Sequence, residues 1–342
     1  MNKICLLLIF FCTLNACKQT SNTSLPTLQI IAGKTMGTTY NIRFVHHEQD
    51  NIKLGIDSLL KKFDFSASTY NPNSTISLFN KSTDASFPIE DTLLIPIIEL
   101  SKKIYKQTDG AFDPTVQPLV NYWHFGNEKI NRDEASLDSL VQLVGFDKID
   151  LQETDKGYLL SKENPNSQLD LSAIAKGYGV DLVGKFMEQK NIHNYLVEIG
   201  GEMRARGQKP NGSFWSIAID KPLDSLKTRQ YAAILSLKDN SLATSGNYRN
   251  FYEKDGQKFV HTIHPKTGLS TPSNLLSASV VARDCATADG IATALMVMGV
   301  EQAKAFATAH TTLGVLLIYA DSTNTQLINW DNGRVDLGTE NQ

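Results

Sequence analysis

The spacing of apolar residues changes several times along the chain, and each change marks an element. Residues 30–44 alternate well enough for strands, with Gly33 and Gly37 as turn or close-approach points. Over 51–64, Ile52, Ile56, Leu59, Leu60 and Phe63 recur at helical spacing. A second helix fits 91–108, with Pro96 near its first turn and Asp109-Gly110 as its stop; a third fits 133–144, stopped by Gly145. Residues 168–171 read as a strand feeding a helix over 172–190, and 195–199 as a strand ending in Gly200-Gly201. Segments 214–220, 232–237, 248–253, 258–263 and 276–282 read as antiparallel strands of a meander. Helices over 286–298 and 301–309 follow, and 312–319 with 325–330 closes as a hairpin. Strands grouped in runs, not alternating singly with helices, predict an α+β fold. Its antiparallel sheets and packed helices form one large domain or two intimately packed subdomains.

The longest apolar run is N-terminal. Lys3 precedes residues 4–11, and small residues follow. The run is too short to span about 30 Å of hydrocarbon and reads as a secretory signal peptide over 1–16. Leu14-Asn15-Ala16-Cys17 looks like a bacterial lipobox, with cleavage before Cys17 and acylation of its thiol; ordinary cleavage with Cys17 as a bystander is the competing reading. Residues 17–28 then form a polar tether, and the folded body occupies 29–335. The expected address is outside the cytoplasm, lipid-anchored to a bacterial membrane on its periplasmic side. Cys5 and Cys12 leave with the peptide, so Cys285 has no partner for an internal disulfide.

Among 342 residues, 33 Lys+Arg against 36 Asp+Glu give a net charge of −3, which offers no basic field to a nucleic acid. The candidate chemistry is local. In Asp170-Leu-Ser-Ala-Ile-Ala-Lys-Gly-Tyr-Gly-Val-Asp181 a carboxylate precedes the free amides of a helix start, and Lys176 sits one turn in. That pattern holds phosphates, or else Asp170 simply caps the helix and Lys176 is solvated. Asp289 and Thr293 share a helix face and offer hard oxygens suited to Mg²⁺ carried with substrate phosphates. The bland alternatives are a Thr293 hydroxyl bonded back to its own helix and an Asp289 paired with a lysine. His261 and His264 enter a Pro/Gly turn, where either is a base near neutral pH or an incidental imidazole. Asp113, after Gly110-Ala-Phe, bonds a ligand or an adjacent amide, and His46-His47 lacks partners at metal spacing. No Gly-x-Gly-x-x-Gly follows a strand. Ser58-x-x-Lys61, Ser245-Gly-Asn247 and Lys266-Thr-Gly268 spell the serine β-lactamase and penicillin-binding signatures in order. Ser58 falls inside a helix, however, and the last two elements lie close together in the chain.

Thr35-Met-Gly-Thr-Thr-Tyr40, Ser68-Thr-Tyr70, Gly110-Ala-Phe-Asp-Pro-Thr-Val116, the 170–178 segment, Glu198-Ile-Gly-Gly-Glu202, Ala243-Thr-Ser-Gly246, His261-Thr-Ile, His264-Pro-Lys-Thr-Gly268 and Ala288-Asp-Gly-Ile-Ala-Thr-Ala294 together resemble the ApbE family in family order. These are the Mg²⁺-dependent FAD:protein FMN transferases, with a T-fold-type architecture, often lipoproteins. The resemblance implies transfer of FMN from FAD onto a threonine hydroxyl of a target flavoprotein through a phosphoester bond, releasing AMP. The target would be a membrane redox-complex subunit. It further implies FAD contacts at Met36, Tyr70, Ala111, Phe112, Asp113, Asp170, Lys176 and Ile263. The Mg²⁺ ligands would be the Ala173 carbonyl with Asp289 and Thr293, and His261 is the expected base. Ser172-Ala173 departs from the family's Gly-Gly, and His264 stands where Asp is common. FAD pyrophosphatase and FAD-binding lipoprotein are the rival readings.

Overall fold

The computed structural model describes residues 27–46, 51–123, 134–222, 230–246, 251–254, 257–260, 262–270, 273–321, 323 and 326–338. It opens on a hairpin. Strand β1 (Thr27–Thr35) turns through Met36 and Gly37 into β2 (Thr38–His46), pairing along its whole length. Both turn residues have positive φ, 45° and 70°, as a two-residue hairpin turn demands. Gly33 is a close approach, not a turn: a Cβ there would lie 2.5 Å from the Tyr40 ring.

Next come α1 (Ile52–Ala67), α2 (Thr75–Lys81), β3 (Ser86–Ile89), α3 (Leu94–Gln107), α4 (Gln117–Trp123), α5 (Glu134–Val141), β4 (Ile149–Thr154) and β5 (Gly157–Lys162). Helix α1 buries Ile52, Ile56, Leu60 and Phe63 of the stripe its spacing predicts, while Leu59 is half-buried. Helix α3 stops where Asp109 and Gly110 take φ of 50° and 76°, and the Gly110 amide reaches back to the Tyr105 carbonyl at 2.9 Å. Residues 168–171, expected as a strand, pair with none. The Leu169 backbone bonds the Asn80 side chain of α2 and the Asp170 amide bonds the Pro114 carbonyl, so the segment's polar groups are spent on a helix side chain and a loop carbonyl.

The rest comprises α6 (Ser172–Gln189), β6 (Tyr195–Ile199), β7 (Glu202–Arg206), β8 (Trp215–Asp220), β9 (Tyr231–Leu237), β10 (Ser241–Gly246), β11 (Phe251–Lys254), β12 (Gln257–Val260), β13 (Leu275–Ala282), α7 (Cys285–Ala309), β14 (Gly314–Ala320) and β15 (Leu327–Asp331). Eight strands make one antiparallel sheet in the order β1-β2-β6-β7-β10-β13-β14-β15, which is chain order throughout. The meander expected over 214–282 is corrected. Strands β8–β9 and β11–β12 form separate hairpins, and only β13 of those five segments joins the large sheet. The fold is α+β.

One face of the sheet packs on helices. Tyr40, Ile42, Phe44, Val197 and Ile199 meet α1 and α6, while Ala278, Val280, Val315 and Leu317 meet α7. On the other face, Leu196, Ala205, Leu242, Leu316 and Ile318 are covered by Trp215, Ile217, Ile219, Leu235 and Leu237 of the β8–β9 hairpin. Helix α7 breaks at Gly299, whose φ is 72°, matching the two expected helical stretches. Cys285 is buried and unpaired. No helix among the described residues is long and apolar enough to cross a membrane.

Candidate active site

Helices α6 and α7 touch at Gly177. A Cβ there would lie 2.4 Å from the Cys285 carbonyl oxygen and 2.8 Å from Asp289 Cβ. The contact lets the Gly177 amide donate to Asp289 Oδ2 at 2.9 Å. An uninterrupted helix directs that amide at the carbonyl four residues back, which is Ala173. A carbonyl oxygen has two lone pairs, so the Ala173 oxygen can serve its helix and still accept or ligate from the cleft side. Gly177→Ala is expected to push the helices apart and lower unfolding free energy by about 2 kcal/mol in urea titrations. Unchanged stability would mean that the helices do not need this contact.

A further carboxylate locks the crossing. Asp181 of α6 accepts the Cys285 amide at 3.0 Å and the Ala286 amide at 2.9 Å, the first amides of α7. Arg204 of β7 donates to Asp181 Oδ1 at 2.8 Å, and Asp284 caps α7 through the Thr287 amide. Each helix thus carries a carboxylate onto the other's backbone.

Lys176, one residue from Gly177, donates to Glu202 Oε1 at 2.5 Å. Burial pulls the Lys176 ammonium down, but Asp289 and Glu202 more than offset it and hold it above the usual lysine range. Burial, and then the Asp289 charge, push Glu202 up to about 8 against the pull of Lys176. Burial also raises Asp289, which is 3% exposed. Glu202 Oε2 is buried with no hydrogen-bond partner among the described residues. Two carboxylates therefore face one ammonium, and the surplus negative charge invites a cation or a retained proton. Thr293, a turn beyond Asp289, lies 3.2 Å from the Ser245 hydroxyl of β10.

These groups open into a cleft of about 1090 Å³. Of the residues that sequence reasoning singled out, Ala111, Phe112, Asp113, Asp170, Ala173, Lys176, Ile263 and Thr293 line it. Asp289 lies beside it, bonded to Gly177. Met36 sits at the β1–β2 turn, its methyl against Gly179 of α6, outside the cleft lining. Tyr70 is 93% exposed and also outside that lining. His261 and Cys17 lie outside the described residues. Asp170 Oδ1 accepts the Ser172 amide at 2.8 Å, so it does brace the start of α6. His264 accepts the Lys266 amide, and burial with the Lys266 charge lowers its basicity. The β-lactamase set does not assemble. Ser58 is exposed on α1, Lys266 pairs with Asp109 at 2.7 Å, and of the described signature residues Ser245 and Gly246 line the cleft.

Asp113 bonds its neighbours: Oδ1 accepts the Thr115 amide at 2.8 Å and its hydroxyl at 2.5 Å. Burial, helped by the Asp147 charge, raises the carboxyl to about 6. Its native value thus exceeds the unfolded one, and ionising it costs stability as pH climbs through that interval. Asp113→Asn keeps an acceptor for Thr115. The variant should gain about 2 kcal/mol on the natural protein between pH 4 and pH 7, at 1.36 kcal/mol per pH unit. Parallel urea-stability curves would refute this.

Glu202, Ser245, Asp181 and Arg204 received no role from the sequence. For Glu202 a signal existed: a carboxylate directly after the Gly200-Gly201 turn that ends the apolar strand β6.

A family model described as ApbE family matches residues 36–317. The FAD:protein FMN transferase of Vibrio cholerae serotype O1 is 38% identical over 298 residues, covering 85% of this chain and 87% of the relative. The Haemophilus influenzae FAD:protein FMN transferase is 38% identical over 301 residues, with the same coverage. Among solved structures, the flavin transferase ApbE from Vibrio cholerae superposes with a TM-score of 0.81 at 34% identity, covering 90% of this chain and 98% of that one. The apo Pseudomonas stutzeri flavinyl transferase ApbE gives 0.79 at 29% identity, covering 90% and 95%. The shared fold and the matched span have a single reading: this chain belongs to the ApbE family.

Proposed function

We propose that the protein is an Mg²⁺-dependent FAD:protein FMN transferase that esterifies a threonine of an acceptor flavoprotein and releases AMP. One observation carries the reading: Lys176, Glu202, Asp289, Thr293 and Ala173 converge where α6 and α7 meet the cleft. The opening amides of α6 and the Lys176 ammonium suit a pyrophosphate. The donor set also fits Mg²⁺. Asp289, the Thr293 hydroxyl and the Ala173 carbonyl are hard oxygens, and Glu202 Oε2 is an orphaned buried oxygen beside them. No cluster of three or more His, Cys, Asp or Glu at metal spacing exists among the described residues, so a cation here would draw on hydroxyl, carbonyl and substrate oxygens. When bound, the ion neutralises charge on the phosphates.

The reaction balances simply. The threonine Oγ bonds to the FMN phosphorus, the bridging P–O bond breaks, and AMP leaves with the electron pair. Lys176 compensates the charge on the pyrophosphate. The hydroxyl proton goes to His261, the residue before Thr262 and Ile263 of the cleft wall. His261→Ala should lower the transfer rate by about 10²-fold or more; a full rate in that variant excludes this base.

The test is incubation with FAD, MgCl₂ and an acceptor flavoprotein, followed by in-gel flavin fluorescence and AMP quantitation. A fluorescent acceptor band with equimolar AMP is expected. AMP with free FMN and no labelled acceptor would mark an FAD pyrophosphatase, and retained intact FAD a binding lipoprotein. The same reading has the protein exported and anchored through a lipid on Cys17, next to a membrane redox-complex acceptor. Cys17→Ser should then move it from the membrane to the soluble periplasmic fraction; continued membrane association counts against the anchor.

A further inference from the structure

The residues assigned to FAD account for part of the cleft wall; the β8–β9 hairpin, α7 and an open strip of sheet supply the rest. Thr39, Asn41 and Arg43 of β2 and Glu198 of β6 line it. Tyr40, Ile42 and Phe44, between them in β2, are buried on the helix side, so these cleft residues share the opposite face. Register sets Asn41 beside Glu198 and Ala32, and Arg43 beside Ile30. Ile30 is 59% exposed and Leu28, two residues along the same edge strand, is 44% exposed. The β8–β9 hairpin covers the middle of this face and leaves this end open.

One end of the strip reaches the phosphate groups' expected seat. A Cβ on Gly200 would stand 2.9 Å from Thr38 Cγ2 and 3.3 Å from Lys176 Cδ, so a single glycine separates the head of β2 from the site lysine. From Thr39 to Arg43 the strip runs about 13 Å, the length of about four extended residues. Its chemistry is mixed: a guanidinium, a carboxylate, an amide and an apolar shoulder. Burial raises the Glu198 carboxyl, against the Gly201 amide it accepts and the nearby Arg43 charge, which both draw it down. A second nucleotide would meet the Glu198 charge, whereas a polypeptide finds donors for its carbonyls, an acceptor for its amides and a seat for an apolar side chain.

We propose that this strip is the acceptor-docking site, holding an extended segment of the target protein along β2 so that its threonine reaches the Thr38–Gly200–Lys176 end. The inference rests on the transferase reading above. It explains how one cleft serves two substrates without overlap: FAD against α6 and the 111–113 turn, protein against the sheet.

The test uses the full-length protein and, as probe, a purified unmodified flavoprotein subunit whose native form carries threonine-esterified FMN. Arg43→Glu reverses an exposed charge, and Asn41→Trp fills the strip. For both, the acceptor KM should rise about tenfold or more, while the FAD dissociation constant, from flavin-fluorescence titration, stays within about twofold. Because Arg43 is exposed, that variant decides the matter even if Asn41→Trp does not fold. Natural acceptor KM in the Arg43→Glu protein overturns the proposal. So does a parallel loss of FAD affinity, which would assign the strip to the nucleotide. A shift in self-association with unchanged KM would give the strip to a second copy. AMP and FMN release by the natural protein, with no acceptor labelled, would instead defeat the transferase reading itself.

Discussion

Asp289→Asn should yield a protein that is slightly more stable than the natural one and nearly inactive. The carboxylate is buried, and burial alone works against its charge. Asparagine still accepts the Gly177 amide, so the bridge between α6 and α7 persists. Lys176 keeps Glu202 as its partner at 2.5 Å. Removing a costly buried charge while retaining its hydrogen bond should raise unfolding free energy by about 1 kcal/mol in urea at pH 8 without metal. Transfer should fall by about 10²–10³-fold, the scale for losing one electrostatic element of a phosphoryl-transfer site. MgCl₂ should raise the melting temperature of the natural protein but not of this variant, a readout independent of turnover. Asp289→Ala separates the two roles: it loses the charge and also the hydrogen bond that ties α7 to the Gly177 amide, costing about 1 kcal/mol. Unchanged activity in Asp289→Asn would remove Asp289 from the proposed Mg²⁺ site.

How much of this was legible in the chain depended on how much of each element's signal was local. Helices α1, α3, α6 and α7 carry long apolar stripes with Gly, Asp or Pro at their ends, and their period survives any tertiary context. The hairpin at Met36-Gly37 and the break at Gly299 were marked by glycine. Strands β7 and β10 were not, because Glu202, Arg204 and Ser241 point toward helices and not solvent, which erases the polar–apolar alternation. The short elements α2, α4, β3, β4 and β5 have too few residues for any period to show. Partnering was equally invisible. Nothing local tells that β8–β9 caps one sheet face while β7 and β10 complete the sheet. The site was legible through Lys176, Asp289 and Thr293, whose spacing encodes chemistry. Glu202 and Arg204 acquire meaning only from contacts 26 and 23 residues away in the chain.

Asp181→Ala should be the most destabilising single substitution around the site. Asp181 is buried and serves three partners at once: the Cys285 and Ala286 amides and the Arg204 guanidinium. Its removal strands two helix-start amides and leaves a half-buried cation with weaker compensation from Glu188, 3.1 Å away. Breaking a buried pair from one side costs about 3–5 kcal/mol, far more than the pair contributes as a unit. Asp284 still caps α7 through Thr287, so the helix itself should persist and the loss should appear in its docking onto α6. The decisive comparison is the double variant Asp181→Ala/Arg204→Met, in which no charge is stranded. It should recover part of the loss, giving a coupling energy of at least about 1 kcal/mol in a urea double-mutant cycle. Additive losses would mean that Arg204 is indifferent to Asp181. Because Asp289 reaches Gly177 only while α7 is held against α6, Asp181→Ala should also weaken the Mg²⁺-induced rise in melting temperature, although it touches neither Lys176 nor Thr293. An undiminished metal response in a destabilised protein would show that the two carboxylate bridges act independently, one for the fold and one for the site.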